Sequence, residues 1–235
     1  MPSSAEVLAG KLRIDDLEPQ GRRVLLRADL NLPVQDGVVT DMTRVIAMLP
    51  TLRSLLGAGA AVVVMSHRGR PNGETPEEFS MAPVAEAMRL VLGHEVTLLE
   101  DCIGDKVETA VQALVPGDVA LLENLRRHPG ETSNDAEFAC RLANLADLYV
   151  DDAFGAVHRA HASIIGVPAI VEVAAAGHLV ELEVQMLSRC LDEPANPFVL
   201  VAGGAKVSDK LDALATVSYT HLRAHETRHD LVCRL

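Results

Sequence analysis

The 235-residue sequence lacks the features that mark several large classes of protein. It has no excess of basic residues, and its formal net charge is −12. Proteins that bind nucleic acid or anionic membranes in general need a positive field, so neither partner is expected, although a local basic pocket is compatible with this charge. No apolar run approaches the length that spans a bilayer, and the first residues lack the charged-then-apolar order of a signal peptide. We therefore expect a cytoplasmic protein.

The sequence also lacks clustered cysteines. Its four cysteines, Cys102, Cys140, Cys190 and Cys233, lie 38, 50 and 43 positions apart, so no CxxC pair or dense disulfide pattern occurs. This spacing argues against zinc ribbons and redox dithiols, and no metal site is predicted. The GxxxxGK[ST] pattern of P-loop proteins is absent as well, as are internal repeats and low-complexity segments.

Short apolar runs alternate with amphipathic stretches along the chain. Runs rich in valine and leucine predict strands at 23–27, 60–65, 95–99, 118–122, 147–150 and 198–201. Apolar residues at three- and four-residue spacing predict helices at 42–56, 82–92, 104–114, 135–145 and 178–190. Such alternation is typical of an α/β protein built on a parallel sheet.

Three local features refine this prediction. Asn134 and Asp135 are predicted to be the N-cap and first turn of the helix that follows them. The apolar seam of the helix at 178–190 is predicted to consist of Leu179, Leu182, Met186 and Cys190. The break at 192–197, which contains Pro194 and Pro197, predicts a domain boundary.

Polar segments follow five of the predicted strands. They are DLNLP at 29–33, SHRGRPNG at 66–73, ENLRRH at 123–128, DDAFGAVHRAH at 151–161 and GGAKVSDK at 203–210. Ligands of open parallel sheets bind beyond the carboxyl ends of the strands, where these segments meet. Arginine and histidine recur among them, so the sequence predicts an anionic ligand that carries phosphate or carboxylate.

Each of these residues also has a purely structural alternative. Asp29 and Asn31 could stabilise a turn before Pro33. His67 could be a buried structural histidine, and Arg44 could be an exposed helix charge. Surface loop positions or ion pairs could explain Arg70, Arg126, Arg159, His158 and His161. Convergence on one edge of the sheet favours a shared ligand over five separate explanations.

The GGAK segment joins the last predicted strand to a helix. Free backbone N–H groups and the helix dipole favour phosphate at such a junction. Lys206 and Lys210 are two of only four lysines, and their spacing puts them on one helical face. The alternative is a glycine turn at Gly203 and Gly204 with surface lysines.

Together and in this order, the five motifs resemble those of the phosphoglycerate kinase family, over roughly Ile14 to Leu214. The resemblance implies two Rossmann-like α/β domains with three-layer parallel sheets, joined by a helix. It implies that residues 1–176 bind 3-phosphoglycerate or 1,3-bisphosphoglycerate and that 177–196 form the interdomain helix and linker. Residues 197–216 would be the first strand and helix start of an incomplete nucleotide-binding domain, and 217–235 an unrelated tail.

The resemblance implies a cytoplasmic, monomeric glycolytic enzyme that transfers a phosphoryl group to or from a carboxyl group, with Mg-ADP or Mg-ATP as co-substrate. Asp29 and Asn31 would hold the glycerate hydroxyl and carboxyl region. Arg44 matches the catalytic arginine. The substrate clamp, chiefly around the non-transferring phosphate, would be His67, Arg70, Arg126 and Arg159. The nucleotide phosphates would meet Gly203, Gly204, Lys206 and Lys210, and both lysines would be catalytic.

The second domain is far shorter in this sequence than the family pattern requires. We therefore expect the chain as given to lack useful kinase turnover, and a non-catalytic phosphoglycerate-binding module is the alternative function. The tail offers a zinc site in principle, because His221, His225 and His229 have helical spacing. Its abrupt onset favours translated cloning or adaptor sequence instead.

Overall fold

A computed structural model describes residues 10–71, 79–192, 197 and 199. The chain divides into two units, Met1–Glu193 and Pro194–Leu235. Of the second unit, only the exposed residues Pro197 and Val199 are described. The predicted strand at 198–201 therefore lies largely outside the described residues. Gly203, Gly204, Lys206, Lys210 and the three tail histidines lie wholly outside them.

A parallel sheet of seven strands forms the centre of the first unit. In chain order they are β1 (Leu12–Arg13), β2 (Arg23–Ala28), β5 (Ala61–Met65), β6 (Thr97–Leu98), β7 (Val119–Leu121), β8 (Leu148–Asp152) and β9 (Ala174–Ala176), with β3 (Val34–Gln35) and β4 (Val38–Val39) pairing as a separate antiparallel hairpin. The spatial order is β1-β9-β8-β2-β5-β7-β6. The chain adds strands first on one side of β2 and then on the other, so the strand order reverses at β2.

Helices cover both faces of this sheet. The described α-helices are α1 (Thr43–Gly57), α2 (Ala82–Leu92), α3 (Asp105–Gln112), α4 (Pro129–Ser133), α5 (Ala136–Ala143), α6 (Val167–Ile170) and α7 (His178–Asp192). Short 3₁₀ turns occur at Ile14–Asp16, Leu125–Arg127 and Phe154–Ala156, and a π-helical turn spans Ala162–Gly166. None of the described helices is both long and apolar enough to cross a membrane.

Side chains of β2 alternate between two helical layers. Val24 and Leu26 belong to the core that includes the buried faces of α1 and α2, whereas Leu25 belongs to the core that includes α3 and α5. Strands covered on both faces are apolar at successive positions, and β5 is buried along its whole length. This three-layer arrangement confirms the predicted α/β class, and five predicted strands and five predicted helices lie close to their expected positions.

The predicted cap of α5 is wrong in one residue. Asp135 is the N-cap, and its side chain accepts a hydrogen bond from the backbone N–H of Phe138 at 2.8 Å. Asn134 instead ends α4 in the left-handed conformation, with a φ of 54°. The sequence did not reveal α4, which is only one turn long, so both residues were assigned to the helix that follows.

The predicted seam of α7 is wrong in three of its four residues, since only Leu179 is partly buried. Leu182 and Met186 are 54% and 52% exposed, and Cys190 is exposed as well. The helix rests on the unit through Val180 and Ser188, which are both buried. The buried face of α7 therefore carries smaller side chains than the prediction assumed, and larger apolar side chains lie on its exposed side.

Asp152, at the end of β8, fixes the start of α7. Its Oδ1 atom accepts hydrogen bonds from the backbone N–H groups of Leu179 at 2.8 Å and Val180 at 3.4 Å. The Thr51 hydroxyl on α1 accepts from the N–H of His178 at 3.0 Å. Burial raises the pKa of Asp152, and the hydrogen bonds from Leu179 and Val180 act against that shift. The first turn of α7 is thereby tied to both β8 and α1.

Candidate functional site

The carboxyl ends of four neighbouring strands carry the predicted site residues to one edge of the sheet. Strand β2 pairs in parallel with β5 on one side and β8 on the other, and β5 pairs with β7. The residues that follow these strands are Asp29 and Asn31 after β2, His67 after β5, Arg126 after β7 and Arg159 after β8. The strand order reverses at β2, in the middle of this group of strands. Open α/β sheets bind ligands beyond the carboxyl ends of the strands at such a reversal.

A cavity of about 620 Å³ opens at this edge. Its described lining residues are Arg70, Pro71, Arg126, His128, Pro129, Thr132, His158, Arg159 and His161, and none of these is acidic. Burial lowers the pKa of Arg126, and the charges of Arg159 and Arg70 lower it further. Arginine stays protonated in proteins, so these side chains repel one another across the cavity. An anion between them would relieve that repulsion.

Asn31 and Arg126 hold the loop that carries Arg70. The Asn31 Oδ1 atom accepts a hydrogen bond from the N–H of Gly69 at 2.9 Å, and the Arg126 guanidinium donates to the carbonyl of the same glycine. Asn31 therefore acts on the loop in this structure, and it does not line the cavity. Arg126 contributes both a loop contact and a positive charge.

Asp29 and Arg44 form an ion pair at the same edge. The Asp29 carboxylate is mostly covered, whereas the Arg44 side chain at the start of α1 is 49% exposed. Asp29 also accepts a hydrogen bond from the N–H of Asn31 at 3.4 Å, so the local turn considered as an alternative is present too. Arg44 is thus held by a partner directly after β2 and still reaches solvent.

His67 is not among the described lining residues of the cavity and is only 4% exposed. Its Nδ1 atom is 3.0 Å from the Nη2 atom of Arg27, a fully buried arginine in β2. Burial lowers the pKa of His67 to about 2, with further contributions from Arg27, Arg126 and Arg159. The ring is therefore neutral near pH 7.

Three buried polar residues at this edge were not identified from the sequence. No role was predicted for Arg27, which ends a predicted strand and leads into the motif after it, and Glu131 and Ser163 belong to none of the five motifs. Arg27 donates to the Ser163 hydroxyl at 2.9 Å, and that hydroxyl lies 2.6 Å from Glu131 Oε1. His161 Nδ1 lies 3.5 Å from the same carboxylate. Arg27, Glu131 and Ser163 are far apart in the chain, so only the fold brings them together.

A second cluster of possible metal ligands lies beside His128. Single ligand atoms of Asp101, Cys102 and His128 lie within 4.8 Å of one another. His128 Nε2 is 2.7 Å from Asp101 Oδ1, and the Cys102 thiol donates to the Glu123 carbonyl at 2.9 Å. Burial raises the pKa of Cys102 well above its usual range, whereas metals bind the thiolate. These contacts, between Asp101 and His128 and between the Cys102 thiol and a backbone carbonyl, explain the cluster better than a metal site does.

Comparisons with known proteins give the same answer as the motifs. A model of the family described as "Phosphoglycerate kinase" matches residues 14–221. The chain belongs to the phosphoglycerate kinase family. The match extends beyond Leu214 into the segment that we interpreted as a tail.

Among curated relatives, the phosphoglycerate kinase of Moorella thermoacetica is 52% identical over 204 residues, and that of Granulibacter bethesdensis is 50% identical over 205 residues. Each alignment covers 87% of this chain and 52% of the relative. The chain thus spans about half the length of the curated relatives it matches.

Solved phosphoglycerate kinases share the fold. The structure from Coxiella burnetii has a TM-score of 0.78 at 39% identity and covers 89% of this chain. The structure from Pyrococcus horikoshii has a TM-score of 0.81 at 32% identity and covers 88% of this chain. In both comparisons, 52% of the solved chain is covered.

The predicted site residues of this family member fall into three groups by position. Arg70, Arg126 and Arg159 meet around the cavity, as the motifs predict. Asp29, Asn31, Arg44 and His67 lie at the same edge but are absent from its described lining. Gly203, Gly204, Lys206 and Lys210 lie outside the described residues, so their nucleotide contacts stay a prediction.

Proposed function

We propose that the described unit binds 3-phosphoglycerate and 1,3-bisphosphoglycerate as the substrate domain of a phosphoglycerate kinase. The reaction is the reversible transfer of a phosphoryl group from 1,3-bisphosphoglycerate to ADP, which gives 3-phosphoglycerate and ATP. The observation that carries this proposal is the cavity, in which three arginines meet without an acidic residue among the described lining. Arginine's planar fork suits phosphate and carboxylate oxygens.

Arg70, Arg126 and Arg159 bind the non-transferring phosphate in this proposal. A phosphate dianion would replace the repulsion among three cations by charge-assisted hydrogen bonds. Because Arg126 also holds the loop of Arg70, binding at one arginine would stabilise the position of another. The electropositive cavity would draw the ligand to one edge of an otherwise acidic protein.

The glycerate end of the ligand is assigned to the neighbouring polar group. Asp29 and Asn31 hold the hydroxyl and carboxyl region, and the neutral ring of His67 offers an N–H donor. Arg44 stabilises charge on the transferring phosphoryl group, a task for which a fixed cation is suited. The half-exposed side chain of Arg44 supports this assignment. It can exchange its ion pair with Asp29 for a contact with a ligand oxygen without disturbing buried packing.

The nucleotide part of the proposal rests on sequence alone. Gly203 and Gly204 would approach the phosphates of Mg-ADP or Mg-ATP, and Lys206 and Lys210 would neutralise them. The corresponding division of the chain is 1–176 for the substrate domain, 177–196 for the interdomain helix and linker, 197–216 for the start of the nucleotide domain and 217–235 for the tail. A monomeric, cytoplasmic, glycolytic enzyme goes with this proposal.

Substrate binding is tested by calorimetric titration of the 235-residue chain with 3-phosphoglycerate. We expect saturable binding, and we expect Arg126→Ala to weaken it about tenfold or more because a charge-assisted contact is lost. Arg53→Ala is the matched control, since Arg53 is exposed on α1 and away from the cavity. Its affinity should equal that of the unaltered chain. Equal losses in both variants, or no binding by the unaltered chain, would contradict the proposal.

Turnover is a separate question. We expect the 235-residue chain to bind 3-phosphoglycerate without sustaining ADP-dependent phosphoryl transfer, because it spans about half the length of its relatives. A coupled assay with 1,3-bisphosphoglycerate and Mg-ADP measures this directly. Binding without turnover supports a phosphoglycerate-binding module, whereas a rate typical of a full-length kinase would show that the chain is catalytically sufficient.

A further inference from the structure

A chain of buried polar groups lies next to the arginine cavity, whose lining residue His161 is 3.5 Å from Glu131. Arg27, Ser163 and Glu131 are each 0% exposed. The Arg27 Nε atom is 2.9 Å from Ser163 Oγ, which is 2.6 Å from Glu131 Oε1, and the Ser163 backbone N–H donates to Glu131 Oε2 at 3.0 Å. At its other end, the Arg27 guanidinium contacts His67. The chain therefore leads from an acid in α4 to a histidine at the predicted binding edge.

The chemistry of the donors fixes the direction of every bond. Arginine has only donors, so Ser163 Oγ accepts from Arg27 and must give its own proton to the Glu131 carboxylate. For the same reason, His67 Nδ1 must accept from Arg27 and carries no proton. A neutral imidazole with a bare Nδ1 has its proton on Nε2. The buried network thus selects one of the two tautomers of His67.

Charge balance explains why Glu131 belongs to the network. A buried guanidinium needs an anion nearby, and Glu131 is one hydroxyl group away from Arg27. Asp151 on β8 also interacts with Arg27. The largest effect on the pKa of the Asp151 carboxyl is burial, which raises it, and the charge of Arg27 lowers it by less. Tyr149 donates its hydroxyl proton to the Ser163 backbone carbonyl at 2.8 Å, not to the serine hydroxyl. Ser163 is therefore the side chain that joins the buried cation to its anion.

We propose that Ser163 and Glu131 are positioning residues of this site, which hold Arg27 so that His67 keeps its proton on Nε2 as a donor for the anionic ligand. The assignment rests on the proposed function for the identity of that ligand. The tautomer of His67 is a property of the protein without ligand, so that part of the assignment does not depend on the proposed function.

The test combines spectroscopy of His67 with calorimetry. In the ¹⁵N spectrum of the histidine-labelled 235-residue chain, with His67 assigned by its loss in His67→Gln, we expect a single Nε2–H tautomer. In Ser163→Ala, which removes the joining hydroxyl, we expect mixed tautomers and about tenfold weaker binding of 3-phosphoglycerate. Tyr149→Phe is the matched control: it removes an equally buried hydroxyl that bonds the same residue, and it should change neither reading.

The outcomes separate this proposal from the proposed function. An unchanged His67 spectrum in Ser163→Ala would overturn the positioning role, and so would equal changes in Tyr149→Phe, since loosened packing would explain both. If Ser163→Ala does not fold, Glu131→Gln is read in its place, because it keeps the side-chain size and should mix the tautomers too. A chain that fails to bind 3-phosphoglycerate contradicts the proposed function, while the tautomer change alone still decides the positioning role.

Discussion

Glu131→Ala is expected to lower the free energy of unfolding by about 3 kcal/mol, a large share of the stability of a domain this size. The alanine would leave the fully buried Arg27 without the acid to which Ser163 connects it. Breaking a buried charge network by removing one partner costs more than the pair contributes, because the remaining charge stays desolvated. The Ser163 backbone N–H would lose its acceptor as well.

Denaturant unfolding followed by circular dichroism measures this loss. Glu172→Ala is the matched control, since Glu172 is exposed and its removal should change the unfolding free energy by less than about 0.5 kcal/mol. If Glu131→Ala lost no more stability than this control, Arg27 would not depend on Glu131 for its buried charge. In that case Asp151, the other acid near Arg27, would be the more important partner.

The central part of the fold could be predicted because burial on both faces leaves a plain record in the sequence. Strands β2 and β5 are covered by helices on either side, and nine of their eleven residues are apolar, Arg23 and Arg27 being the exceptions. The short strand β9 leaves no such record: it consists of Ala174–Ala176, and alanine has little preference for strands. Its place in the sheet depends on its parallel pairing with β8 and β1 rather than on its own residues.

The β3–β4 hairpin was not predicted, although its turn residues favour a hairpin. Asp36 and Gly37 join its strands, and both have positive φ values, of 51° and 76°. An Asp-Gly pair with this geometry is a favoured two-residue turn, because its twist matches that of the strands. The flanking strands have only two residues each, so apolar alternation was too short to support the turn signal.

The candidate site was predictable to the extent that its residues lie in the segments that follow neighbouring strands. Asp29, His67, Arg126 and Arg159 reach one edge because parallel strands end there together. The residues that hold them were not predictable, since the contact between Ser163 and Arg27 spans 136 positions and that between Ser163 and Glu131 spans 32. A motif shows which side chains lie at one edge of the sheet. The hydrogen bonds that hold those side chains join residues distant in the chain, so only the three-dimensional structure shows them.

Gly177 is a position where a single methyl group should be costly. A Cβ atom there would lie 2.9 Å from Asp152 Cβ and closer still to its Oδ1 and Cγ atoms. Asp152 cannot move aside freely, because it is 1% exposed and accepts from the N–H groups of Leu179 and Val180. Gly177→Ala should therefore either strain β8 or pull Asp152 away from the first turn of α7. We expect a loss of about 2 kcal/mol in the free energy of unfolding, from the overpacking and the weakened cap together.

Gly57→Ala makes the same chemical change with the opposite expected sign. Gly57 is the last residue of α1, and a Cβ atom there would meet nothing within 4 Å. Alanine restricts the unfolded chain, so this variant should gain up to about 1 kcal/mol in denaturant unfolding. Opposite shifts in the two variants would place the cost at the contact with Asp152. A Gly177→Ala chain as stable as the Gly57→Ala chain would mean that Asp152 yields at little cost and that the start of α7 does not depend on it.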